Sequence, residues 1–160
     1  MSDDLPRKKL SFKQMTKFNE TIDGKPNLSA YKDPSGSNLS IGYGHNLDAH
    51  GDKFRTITPA LAESLFEQDY ADAEKTAARF ADSVYNALNL NQKAALTDMA
   101  FQMQTKLFTF KDMQSALKAG NFEKAREEML DSKWAREDSP NRAKRIADLF
   151  YSKKDKTPFI

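Results

Sequence analysis

Cysteine is absent from this 160-residue chain, which excludes disulfide bonds and thiolate metal sites and leaves the redox compartment open. Histidine is nearly so: with two of them, neither a Ser-His-Asp triad nor a His-rich zinc site has much to be built from, and no metal or cofactor is expected. Long apolar runs are missing too. The opening residues, MSDDLPRKKLSF, lack the hydrophobic stretch of a Sec signal, and no later segment approaches the length of a membrane span. The chain is therefore expected to be made in the cytoplasm, with no stable membrane anchor, and to need another protein for any export. Neither sign of charge dominates, since 25 basic and 23 acidic side chains leave +2. That balance calls for no nucleic-acid partner. The glycines of GYGH fit neither of the phosphate-loop patterns, GxxxxGK or GxGxxG.

What is present describes a globular protein. At 39% hydrophobic and 30% charged residues, the chain has enough apolar surface to bury one core, or two small lobes sharing a helix. Residues 1–10 read as a loose polar arm. Ser11 and Gln14 have capping-box spacing, and Phe12, Met15 and Phe18 then line a helical face that should stop near Thr21, before the turn chemistry of Asp23-Gly24. Residues 28–33 and 38–43 read as a hairpin around Pro34-Ser35-Gly36. From Thr58-Pro59 the period becomes helical: Leu61, Leu65, Phe66, Ala73, Ala77 and Phe80 predict one long helix. Further helices are predicted over 91–103, 111–119, 121–130 and 139–152. The expected fold class is α+β, mainly α. It is a single domain over 1–160, with a small hairpin lobe (12–57), an inter-lobe helix (58–82), a larger helical lobe (83–160) and a cleft between the lobes.

Glu20 and Asp33 are the candidate chemical pair. Cleaving a glycosidic bond takes a proton for the leaving oxygen and a carboxylate for water or a nucleophile. Glu20, at a helix end beside Phe18 and Ile22, can be held rigidly and partly desolvated, whereas Asp33 at a polar turn stays ionised. The same residues also suit plain roles as a helix-end charge and a turn starter, because 23 acidic side chains produce many such pairs. SPNRAKR, with Lys133 and Arg136 before it, puts a basic patch at a helix start, which is either a solvated face or a seat for polar ligands.

Several separated segments together resemble a known family. NET, AYKD and SIGYGH, then LFEQD, AALTDMAFQM, SKW and SPNRAKR follow the order and approximate spacing of the T4-type phage lysozymes, muramidases that cut peptidoglycan, from about residue 12 to 150. The resemblance implies a lysozyme-like fold and places Glu20 on the catalytic acid and Asp33 on the carboxylate that assists the attacking water. Ser40 falls where the family usually has a threonine that positions that water. Arg142 falls on an arginine that pairs with the catalytic glutamate, Phe101 and Gln102 on residues lining the sugar cleft, and Asn141 beside the site. His45 and Asp69 match a structural ion pair. The segments from Glu20 to Asp33 and from Asp33 to Ser40 are both longer than the family's usual pattern, as loops that bulge outward can be.

The resemblance further implies hydrolysis of the β-1,4 bond between N-acetylmuramic acid and N-acetylglucosamine, by an inverting route without a metal. Peptidoglycan glycan strands would be the partner of a monomer. A protein of this kind waits in the host cytoplasm as an endolysin until a holin opens the membrane, or is an antibacterial effector delivered by a secretion machine; either way it acts in the periplasm on the wall. A lysozyme-fold peptidoglycan-binding module with little activity, and a lytic transglycosylase, are the alternatives.

Overall fold

The computed structural model describes residues 4–32 and 38–152, with side chains from residue 11 onward. Helix α1 (Asp4–Glu20) is followed by strands β1 (Asn27–Lys32), β2 (Leu39–Gly42) and β3 (His45–Asn46). Helices α2 (Leu47–His50), α3 (Pro59–Ala81), α4 (Leu90–Met103), α5 (Lys111–Lys118), α6 (Phe122–Leu130) and α7 (Pro140–Phe150) complete the order. The three strands form one antiparallel sheet, β1-β2-β3, so the fold is α+β and mainly helical. The chain divides into two compact units, Lys13–Ala71 and a larger one made of Met1–Phe12 with Asp72–Ile160. The division falls inside α1 and inside α3.

In the smaller unit α1 is pinned to α3 by the ion pairs Lys13–Glu67 and Lys17–Glu63. The Lys17 ammonium also lies 4.9 Å from the ring centroids of both Tyr43 and Phe66. These cation–π contacts and charge pairs orient the last turns of α1, where Glu20 sits. Strand β2 is the centre of the sheet: Ser40 pairs with Tyr31 on one side and Asn46 on the other. The alternation of the pleat sends Ile41 into a core with Leu47 and Leu65, against which Ala30, Leu39, Phe54 and Ile57 pack. Residues 55–57 clip the outer strand: Ala30 N–H donates to the Arg55 carbonyl and Ile57 N–H to the Leu28 carbonyl, both at 2.9 Å. After β3 the Asn46 side chain accepts from Ala49 N–H at 2.9 Å and caps α2.

The larger unit is built around α4. Its start is a complete capping box, in which Gln92 N–H donates to Asn89 Oδ1 and Asn89 N–H donates to Gln92 Oε1. Ala94, Ala95, Leu96, Met99 and Ala100 are all buried, as suits a helix surrounded by others. Met113 and Leu117 of α5, Ala125 and Met129 of α6, and Ala143, Ile146 and Ala147 of α7 bury the complementary faces. Edge-to-face ring pairs, Phe80–Phe108, Phe110–Trp134 and Phe122–Phe150, join loops and helices within this unit.

Four local features depart from the sequence expectation. Residues 4–10, read as a loose arm, are helical, and Ser11 lies inside α1 instead of capping it. The reason is that Pro6 falls in the first turn, where its missing N–H costs nothing. A third strand and the short α2 follow the hairpin. Turns of 3-10 helix occupy Asp82–Ala87 and Gln104–Thr109, and a π-helical turn occupies Trp134–Asp138. Among the described residues no helix is long and apolar enough to cross a membrane.

Candidate active site

Glu20 is the last residue of α1 and is partly buried. Its environment is not the expected one. Phe18 and Ile22 are 51% and 103% exposed, so the apolar neighbours read from the sequence do not shield it. Phe18 turns instead over Gly24, where an added Cβ would come within 2.9 Å of the ring. The close neighbour of Glu20 is the backbone of Gly44, in the turn between β2 and β3. A methyl group at Gly44 would overlap Oε1 of Glu20, with Cδ at 3.2 Å, and Gly44 has φ +83°. Glycine is required there twice over, for its backbone angle and for the room its missing side chain leaves to the carboxylate.

Ser40, buried to 6% exposure, occupies the middle strand of the same unit. Asp33 lies outside the described residues; β1 ends just before it, at Lys32, which pairs with Leu39. His45, at 3% exposure, is held at both ring nitrogens: Nδ1 is 2.7 Å from Asp69 Oδ2, as expected, and Nε2 is 2.8 Å from Asp52 Oδ2, a partner the sequence did not indicate. Burial works against the charged ring, but the hydrogen bonds and charges of Asp69 and Asp52 outweigh it and raise the pKa of His45 above its ordinary value. The His50 ring stacks on that of His45, centroids 4.3 Å apart.

The larger unit gathers the other candidates. Gln102 is fixed from both ends of its amide: Nε2 donates to Ser139 Oγ at 2.9 Å and Oε1 accepts from Trp134 Nε1 at 2.8 Å. Ser139 and Trp134, which sequence reasoning did not assign, are thus the partners of the candidate Gln102. Phe101 precedes Gln102 on α4 and is buried, at 7% exposure. Asn141 is exposed on the first turn of α7, directly after Pro140. Arg142 is buried, at 6% exposure, and its Nε donates to Oδ1 of Asp98 at 2.8 Å. Asp98 is fully buried. Its signal was present in AALTDMAFQM, because a carboxylate inside an apolar helical run must find a cationic or donor partner. The two side chains make a buried, charge-assisted pair that locks the arginine to α4.

Comparison with known proteins gives three findings. The family model described as phage lysozyme matches residues 22–150, a span that begins just after Glu20. The probable T4-type lysozyme 2 of Dictyostelium discoideum is 28% identical over 88% of this chain and 93% of its own length. The pre-baseplate central spike protein Gp5 of Enterobacteria phage T4 is 35% identical over 57% of this chain, which corresponds to only 16% of that much longer protein.

Proposed function

This chain belongs to the phage lysozyme family and is a muramidase-type peptidoglycan hydrolase; we propose that it cleaves the β-1,4 bond between N-acetylmuramic acid and N-acetylglucosamine, with inversion. The observation that carries the residue assignment is the seating of the Glu20 carboxylate over Gly44 at the end of α1. A glycosidic oxygen leaves readily when a proton reaches it along a defined line, so the acid works best from a set position. Glu20 gives that proton. Asp33 and the Ser40 hydroxyl hold the water that attacks the anomeric carbon from the other face; Asp33 takes that water's proton as the glycosidic bond breaks, and proton exchange with solvent then returns Glu20 to the acid and Asp33 to the carboxylate.

Phe101, Gln102, Asn141 and Arg142 are the proposed glycan-binding residues. The support is chemical: an amide clamped at both ends by Ser139 and Trp134 presents fixed polar edges of the kind that read sugar hydroxyls and acetamido groups. Before release the protein stays in the host cytoplasm, and it works on the wall in the periplasm, as an endolysin that a holin lets through.

The test is digestion of purified peptidoglycan with product analysis. Muropeptides with reducing ends are expected, and the anomer of the fresh product, read by NMR, should be inverted. Release of 1,6-anhydro ends would overturn hydrolysis in favour of transglycosylation. Glu20→Gln should lose turnover with the fold unchanged by circular dichroism; near-normal activity would remove Glu20 from the acid role.

A further inference from the structure

Both histidines of the chain meet at one place in the smaller unit, and hydrolysis of a glycan gives neither of them a task. We propose that His45, His50 and Asp52 form a binding site for a divalent transition metal, with zinc the best match to two imidazoles and a carboxylate. Ligand atoms of the three residues all lie within 4.8 Å of one another.

The hydrogen bonds around the rings select which nitrogens can bind. Nδ1 of His45 faces Oδ2 of Asp69 at 2.7 Å, and a carboxylate can only accept, so Nδ1 carries the proton. Nδ1 of His50 lies 2.8 Å from the carbonyl oxygen of Asn46, which likewise can only accept. Each histidine therefore has its Nδ1–H committed to a carboxylate or carbonyl acceptor, which leaves Nε2 as the nitrogen open to a metal. Carboxylate and carbonyl acceptors behind a ligating imidazole are the outer-shell pattern of zinc histidines, where they set the tautomer and raise the basicity of the free nitrogen. On the inner side, His45 Nε2 lies 2.8 Å from Asp52 Oδ2, and His50 Nε2 lies 3.8 Å from Asp69 Oδ1.

Closure of the site falls to its more exposed residues. Tetrahedral ligands at zinc distances are separated by about 3.3 Å, so the cluster must tighten. His45 is buried and fixed, whereas the side chains of His50 and Asp52 are 39% and 30% exposed and can move inward. Three protein ligands leave a fourth position for water, reached from the exposed side. Without metal, the Nε2–H of His45 bridges to Asp52. Zinc replaces that proton, which goes to solvent, so uptake of one zinc ion releases a proton from His45. Its structural effect is to tie β3 and α2 to the loop that follows them.

The experiment is calorimetric titration of zinc chloride into EDTA-stripped, dialysed protein, in two buffers of different ionisation enthalpy, with thermal melts in parallel. One equivalent bound, proton release and a higher melting temperature are expected, with no response to magnesium chloride. His50→Ala changes an exposed ligand, so its metal-free melting temperature should match the parent while zinc affinity falls about tenfold or more. Asp52→Asn should weaken binding as well. No zinc uptake by the folded parent, or undiminished uptake in both variants, would overturn the site.

Discussion

At Gly44 a backbone angle and the side chain of the proposed acid, Glu20, make the same demand, which allows a sharp test. Gly44→Ala would place a methyl group on the Glu20 carboxylate and strain a residue at φ +83°, at a stability cost of about 1–3 kcal/mol. Displacement of the acid by even an ångström should lower kcat about a hundredfold. Turnover within twofold of the parent would mean that Glu20 does not work from the position it holds. The buried Arg142–Asp98 pair makes a second residue-scale prediction. Asp98→Ala removes the carboxylate that accepts from Nε of an arginine at 6% exposure and should cost about 3–5 kcal/mol in urea unfolding, with Asp98→Asn milder because the amide can still accept from Nε. His45 makes a third. Its pKa is raised in the folded state, so its contribution is complete below the unfolded value of 6.5 and is lost as pH rises through the higher folded value. Asp69 of α3, Asp52 and His50 of α2 are the titratable groups facing it. In EDTA, the urea midpoint should therefore fall as pH rises above 6.5, and His45→Gln should flatten that fall; an unchanged slope in the variant would contradict the assignment.

At the scale of elements, legibility followed the strength of local chemistry. Thr58-Pro59 and the long apolar period that follows announced α3, which begins at Pro59 and ends at Ala81. Gly120, at φ +76°, stopped α5 where the periodicity ended. The hairpin strands were found within a residue of their ends, because alternation and turn residues agreed there. The misses share a different cause. Charge made residues 4–10 look unstructured, although charged residues are good helix formers and only tertiary context reveals the helix. The two residues of β3 are too few to show a period. Asp52 and Asp98 look like any other acidic residue until the chain brings His45 and Arg142 to them. The Asn89–Gln92 box was legible as spacing but was passed over for the apolar run beginning a little later. Asn89→Ala should lower stability by about 1 kcal/mol, measured by thermal or urea unfolding, and a neutral result would mean that packing alone holds the start of α4.

For the whole molecule, the family-wide order of motifs was read from the sequence, and the structure groups Phe12 with Asp72–Ile160 and Lys13 with the sheet. Phe12→Ala, at a site of 4% exposure, should cost about 3–5 kcal/mol, and hydrogen exchange should show the lost protection in residues 72–152 more than in 13–71. The reverse distribution would place Phe12 in the other unit. The interleaving also sets a schedule. A ribosome adding about 5–20 residues per second makes the first turns of α1 roughly 3–12 s before Asp72, the earliest residue of the unit that will receive them. During that interval the whole of the sheet-bearing unit has been synthesised. The segment before Lys13 is thus made ahead of the unit that receives it, and the nascent chain must carry it past the whole of Lys13–Ala71.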